Sequence, residues 1–68
     1  MNILLNGNPS EFGENATIDR VVAVLVEDPE PRGLAVAVNG EVVPRHLWRD
    51  TSLDDGDRVE VLRAVGGG

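Results

Sequence analysis

The last three residues, Gly66, Gly67 and Gly68, follow a strand-like run from Val59 to Val65. With no side chains among them, the group that could do chemistry there is the α-carboxylate of Gly68. A free carboxylate is a poor electrophile, because it is resonance-stabilised and its charge repels nucleophiles. It becomes reactive once a phosphate-type leaving group is attached, as in an acyl-adenylate. That activation takes place in another protein's active site, so the end of the chain must reach in. Glycine suits such an approach, because it has no Cβ to obstruct a narrow channel and it adopts backbone angles closed to other residues. Three such residues also make a flexible tether of several ångströms each. Gly66 and Gly67 would thread, and Gly68 would carry the reacting carboxylate. The same run is what an unstructured end or a cloning scar looks like, and glycine content alone does not separate the two.

Other chemistry is thinly represented. The absence of cysteine excludes a disulfide, a Cys-based zinc site and a thiol nucleophile on this chain. His46 is the single histidine, and Ser52, His46 and Asp50 could be assembled on paper into a triad. No strand-turn-helix elbow surrounds either serine, so the arrangement lacks the context that makes a nucleophile. The segment "DTSLDDGD" has some acidic character of a calcium loop, but neither the alternating Asp/Asn positions nor the closing Glu. It reads as a turn, and no metal site is expected. Gly7, Gly13 and Gly33 form no phosphate-binding pattern, and Trp48 reads as a packing residue. The chain is therefore expected to be acted upon and to hold no cofactor of its own.

Sixty-eight residues provide one core, and a chain of that length buries only about 60% of the surface its unfolded form exposes. The net charge of −6 argues against nucleic acid, whose binding depends on cations meeting phosphates. It favours solubility and partners with a basic docking surface. "MNILLNG" has no basic region, and its apolar run is too short for a signal peptide or a membrane span. A cytoplasmic protein, monomeric when free and not attached to membrane, is the expectation.

The elements that must position the tail read as follows. "MNILL", the turn-forming "NGNPS" and a brief "EFG" strand make a hairpin over residues 1–12. In "TIDRVVAVLV", Ile18, Val21, Val22 and Leu25 recur at i, i+3, i+4 and i+7, one face of a helix. Thr17 is its expected N-cap, and Asp19 suits the positive first turn. Pro29 and Pro31 end the element, and the acidic run Glu27 to Glu30 reads as a solvated loop. "LAVAV-NG-EVV" is a hairpin signal, with Asn-Gly for a type I′ turn and Pro44 closing the second strand. "RHLW" predicts a short helical turn, Leu53 tucks into the core, "DDGD" turns the chain, and "RVEVLRAV" is the last strand.

Hairpin, helix, hairpin and final strand add up to an α+β fold. The compact solution is a β-grasp: a mixed sheet wrapped around one helix, with the last strand central and parallel to the first. A domain of residues 1–65 would then carry a tail of residues 66–68. Alternation assigns the faces. Val59, Val61, Ile3, Leu5, Leu34, Val36 and Val38 should face the helix. Leu4, Ala35, Ala37, Leu62 and Ala64 should face outward beside Glu60, forming a shallow apolar patch that leads to the tail and could dock a partner.

"VAVNGEVVPRHLW", then "TSLDDGDRVEVLRAV", then a terminal Gly-Gly closely resemble the ThiS family, sulfur carrier proteins of thiamine biosynthesis. The resemblance covers nearly the whole chain, including the "ILLNG" strand. It implies a ubiquitin-like β-grasp, with Gly67 and Gly68 as the matched glycine pair and Gly66 in a variable position. It implies that an ATP-using adenylyltransferase, similar to ubiquitin-activating enzymes, converts the Gly68 carboxylate to an acyl-adenylate. Sulfur drawn from cysteine by a desulfurase would replace AMP to give a thiocarboxylate, and thiazole synthase would take that sulfur. The catalytic residues would then belong to the partners. The small subunit of molybdopterin synthase shares the fold and the tail, although its members are typically longer and carry a different run before the glycines. A ubiquitin-like modifier that joins its end to protein lysines also begins with adenylation. A scaffold role would make the tail dispensable.

Overall fold

The computed structural model describes residues 1–26 and 33–63. The chain opens with strand β1, Asn2–Leu5, and doubles back as β2, Asn8–Glu11. Their register, Leu5↔Asn8 through Asn2↔Glu11, leaves only Asn6 and Gly7 in the turn. Both have positive φ, 51° and 82°, the type I′ conformation whose twist matches that of the strands. The second strand thus begins at Asn8 and is mostly over by "EFG", where the sequence suggests it would form. Pro9 is the reason it could be overlooked. Met1 and Phe12 exchange main-chain hydrogen bonds of 2.7 and 3.0 Å, so the odd-numbered residues of β1 make the bonded pairs. Pro9 lies opposite Leu4, between bonded pairs and on an edge strand, where its missing N–H would have faced outward.

Helix α1 covers Ile18–Leu25, and Ile18, Val21 and Val22 are buried. Thr17 stands at the N-cap position without capping by its side chain; its hydroxyl donates to the Asp19 carboxylate instead. The backbone satisfies the helix start: Ile18 N–H donates to the Thr51 carbonyl at 3.1 Å, and Leu53 N–H to that of Ala16 at 2.9 Å. Leu25, expected on the packed face, is 45% exposed. Periodicity alone does not indicate where along the helix burial ends.

Strands β3, Leu34–Val38, and β4, Glu41–Val43, form the second hairpin across Asn39 (φ 51°) and Gly40 (φ 87°). A 3-10 helix, Arg45–Asp50, follows Pro44. It buries Trp48, whose indole N–H donates to the Val43 carbonyl at 2.8 Å. The last described strand is β5, Arg58–Arg63. The strand order is β2-β1-β5-β3-β4, with β1 and β5 parallel and the remaining pairs antiparallel. This is the α+β β-grasp expected from the sequence, with β5 at the centre of the sheet. Ile3, Leu5, Val36 and Val59 on its inner face pack with Ile18, Val21 and Val22, and Trp48 and Leu53 complete the core. Ala64, Val65, Gly66, Gly67 and Gly68 lie outside the described residues, as does the acidic run Glu27 to Glu30.

Candidate functional site

The candidate functional region is the end of β5 and the sheet surface beside it. What holds β5 in register is a pair of asparagines. In the Asn39-Gly40 turn, Asn39 N–H donates to the Arg58 carbonyl at 2.8 Å. Its side-chain oxygen accepts the Arg58 N–H at 2.9 Å, and its amide donates to Asp57 Oδ1 at 3.0 Å. In the Asn6-Gly7 turn, Asn6 N–H donates to the Val59 carbonyl at 2.9 Å, and Asn6 Oδ1 accepts the Val61 N–H at 2.8 Å. Each asparagine tolerates positive φ, and each supplies the acceptor that its turned-away carbonyl cannot. The two turns therefore grip β5 at its start and part-way along.

The loop before β5 is the "DDGD" turn. Gly56, at φ 88°, reverses the chain. Asp55 Oδ1 accepts Asn2 N–H at 2.6 Å, and Asp57 Oδ2 accepts Asp54 N–H at 2.8 Å. Two of its carboxylates are thus occupied with fixing strand ends. Among the described residues no group of three or more His, Cys, Asp or Glu is placed to hold a metal ion. His46, Asp50 and Ser52 are all exposed.

The outward sheet face follows from the register. Leu62 on β5 lies beside Ala35 on β3, and Glu60 beside Ala37. Ala37 in turn lies beside Val42 on β4. Leu62 is 61% and Val42 72% exposed, Ala35 is exposed, and Ala37 is half-buried. These four residues form a contiguous apolar strip at the end of β5 that leads on towards the tail. Leu4, 40% exposed, shares the face without joining the strip. It pairs with Arg58, four residues back along β5 from Leu62 and so about 13 Å away, with Arg58 and Glu60 between. The strip is thus narrower at β1 and broader at β4 than alternation suggests. Val42 is absent from the sequence expectation, although the two-residue Asn-Gly turn already sets it opposite Ala37. Ala64 and the three glycines lie outside the described residues. Among the described residues no helix is long and apolar enough to cross a membrane.

Comparison with known proteins adds to this geometry. Residues 3–68 match the model of the ThiS family. The chain is 29% identical over 68 residues to the sulfur carrier protein ThiS of Escherichia coli (strain K12), with all of both chains covered. It is 31% identical over 68 residues to a thiazole synthase of Paramagnetospirillum magneticum, of which it spans 20%. In structure it is similar to the thiamine biosynthesis protein (ThiS) from Geobacter metallireducens, with a TM-score of 0.80, 34% identity and all of both chains covered.

Proposed function

The chain belongs to the ThiS family, and from that premise we propose that it is a sulfur carrier of thiamine biosynthesis whose reacting group is the carboxylate of Gly68. The full-length likeness to a protein named as that carrier supports the reading. The observation that carries it is the construction around β5. The strand that leads to the glycines is the central strand of the sheet, gripped by two asparagine side chains, beside an exposed apolar strip. Such a body holds the root of a tail firmly while its end enters a partner.

In the proposed cycle an adenylyltransferase similar to ubiquitin-activating enzymes binds the strip of Leu62, Ala35, Ala37 and Val42. It draws residues 66–68 into its active site. The Gly68 carboxylate attacks the α-phosphorus of ATP, pyrophosphate leaves, and the acyl-adenylate forms. Sulfur obtained from cysteine by a desulfurase arrives as a partner's persulfide, whose terminal sulfur displaces AMP to give an acyl disulfide, and a thiol then reduces that disulfide to leave the thiocarboxylate. Thiazole synthase takes up that sulfur, a step supported by the stretch of a thiazole synthase that is similar to this chain. The chain is a recharged cosubstrate and holds no cofactor; ATP is consumed by the partner. Leu4, set apart by Arg58 and Glu60, contributes at the rim of docking.

Intact-protein mass spectrometry of the chain from its native cells tests the proposal. A fraction heavier by the difference between sulfur and oxygen, localised to the C-terminal peptide and so distinct from Met1 oxidation, is the expected result. A tail never modified in the presence of an activating enzyme, ATP and a sulfur source would overturn it.

A further inference from the structure

Among the described residues, the hydrogen-bonding pattern along β5 leaves one stretch of its backbone without a neighbour. Even-numbered residues of β5 direct their main-chain groups to β3, as the bond from Asn39 N–H to the Arg58 carbonyl shows. Odd-numbered residues direct theirs to β1: the Val59 carbonyl accepts from Asn6, and the Val61 N–H donates to Asn6 Oδ1. The β1 ladder, however, ends at Leu5↔Val59, because Asn6 and Gly7 turn the chain away. On the other side β3 accompanies β5 all the way to Leu34↔Arg63. The Val61 carbonyl and the Arg63 N–H therefore face the β1 side, where, among the described residues, β1 is the one neighbouring strand and has already ended. Asn6 Oδ1 accepts from Val61, and among the described residues nothing meets these two groups.

We propose that this open edge receives an extended main-chain segment of the adenylating enzyme, which adds to the sheet as a strand in line with β1. The inference rests on the proposed function, in which that enzyme draws in the tail. Three features select this occupant. The edge belongs to the strand that continues into the tail, so a segment paired here holds the chain extended as it enters the active site. A bonded main chain is indifferent to side chains, which suits an approach ending in residues that have none. The two outer edges are less suited: β2 carries Pro9, and β4 has only three residues. Leu62 projects from the same part of β5 on the outer face, so strand addition and apolar docking can be made by one partner surface.

A chain of 68 residues is short enough for total chemical synthesis, which allows one atom to be tested. Replacing the amide N–H of Arg63 by an ester oxygen removes the donor and keeps every side chain. ATP–pyrophosphate exchange by the adenylating enzyme should show KM raised about five- to tenfold with kcat unchanged, the fold-change of one lost main-chain hydrogen bond. The melting temperature of the ester should fall only slightly, because the Leu62 carbonyl, now that of an ester and facing β3, accepts more weakly than an amide. An ester at Leu62, whose N–H faces β3, should lower the melting temperature more. The Arg63 amide should also exchange with deuterium rapidly in the free chain and slowly in the complex. An unchanged KM overturns the proposal, and so does an Arg63 ester destabilised as much as the Leu62 ester, since the Arg63 N–H would then be bonded within the fold. If the all-amide chain is never adenylated, the functional reading itself fails and the edge loses its partner.

Discussion

Truncating Leu62 to Ala separates docking from folding. In the free chain the side chain is 61% exposed, so it contributes little to the core, and the stability of the variant should stay near that of the parent. In a complex the exposed part would be covered. Full burial of a leucine is worth about 1.5–3 kcal/mol, and 61% of that is about 1–2 kcal/mol. Ala keeps Cβ and forfeits the rest, so affinity for the adenylating enzyme should fall about three- to tenfold. Leu62→Asp should fall further, because a carboxylate would have to be desolvated in an apolar contact. Val24 is the control: it is 68% exposed and lies on α1, across the sheet from the strip. Val24→Ala should bind as the parent does. Isothermal titration gives the affinities, and urea unfolding gives the stabilities. Unchanged binding of Leu62→Ala, or an equal loss in Val24→Ala, would refute the assignment of the strip.

Gly67→Trp should fold normally by circular dichroism and fail to be adenylated, because the indole blocks the channel; normal adenylation would remove the threading role. Asn39→Gly keeps the positive φ and deletes two side-chain hydrogen bonds, so about 1–2 kcal/mol of stability should be lost. Asn39→Ala adds the left-handed backbone penalty of about 1–2 kcal/mol and should melt lower still; equal melting temperatures would sink the turn argument. Trp48→Phe strips the Val43 carbonyl of its indole donor and should cost about 1–3 kcal/mol in urea unfolding, with the tail chemistry unaffected.

What can be read from the sequence is whatever is encoded locally. Asn39-Gly40 between two apolar runs identifies its hairpin, because few residue pairs tolerate two positive φ angles in succession. The alternation in Val59, Glu60, Val61 and Leu62 likewise assigns the two faces of β5. Features that depend on distant residues escape. Pro9 argues against a strand until it is known to lie on an edge between bonded pairs. Thr17 looks like a cap, yet the helix start is satisfied by the backbone of Thr51. Leu25 obeys the helical period but is 45% exposed. The grip of Asn6 and Asn39 on β5 spans 55 and 19 residues, a separation that local pattern does not encode. Residues 66–68 have chemical meaning only through family resemblance and the logic of activation.

The parallel pairing of β1 with β5 has a kinetic consequence. Leu4 meets Arg58 across almost the whole chain, and closing a loop of that length costs about 3.5 kcal/mol of chain entropy. The two hairpins close across two residues each and can form early. Joining them waits for β5, which supplies the only ladder shared by both. Assembly therefore has a late, concerted last step with the speed limit of long-range topology. Its reversal frees the tail-bearing strand from both hairpins together, so a partly unfolded chain would not present its end on an ordered body. Presentation of the terminus and completion of the fold then rise and fall as one equilibrium.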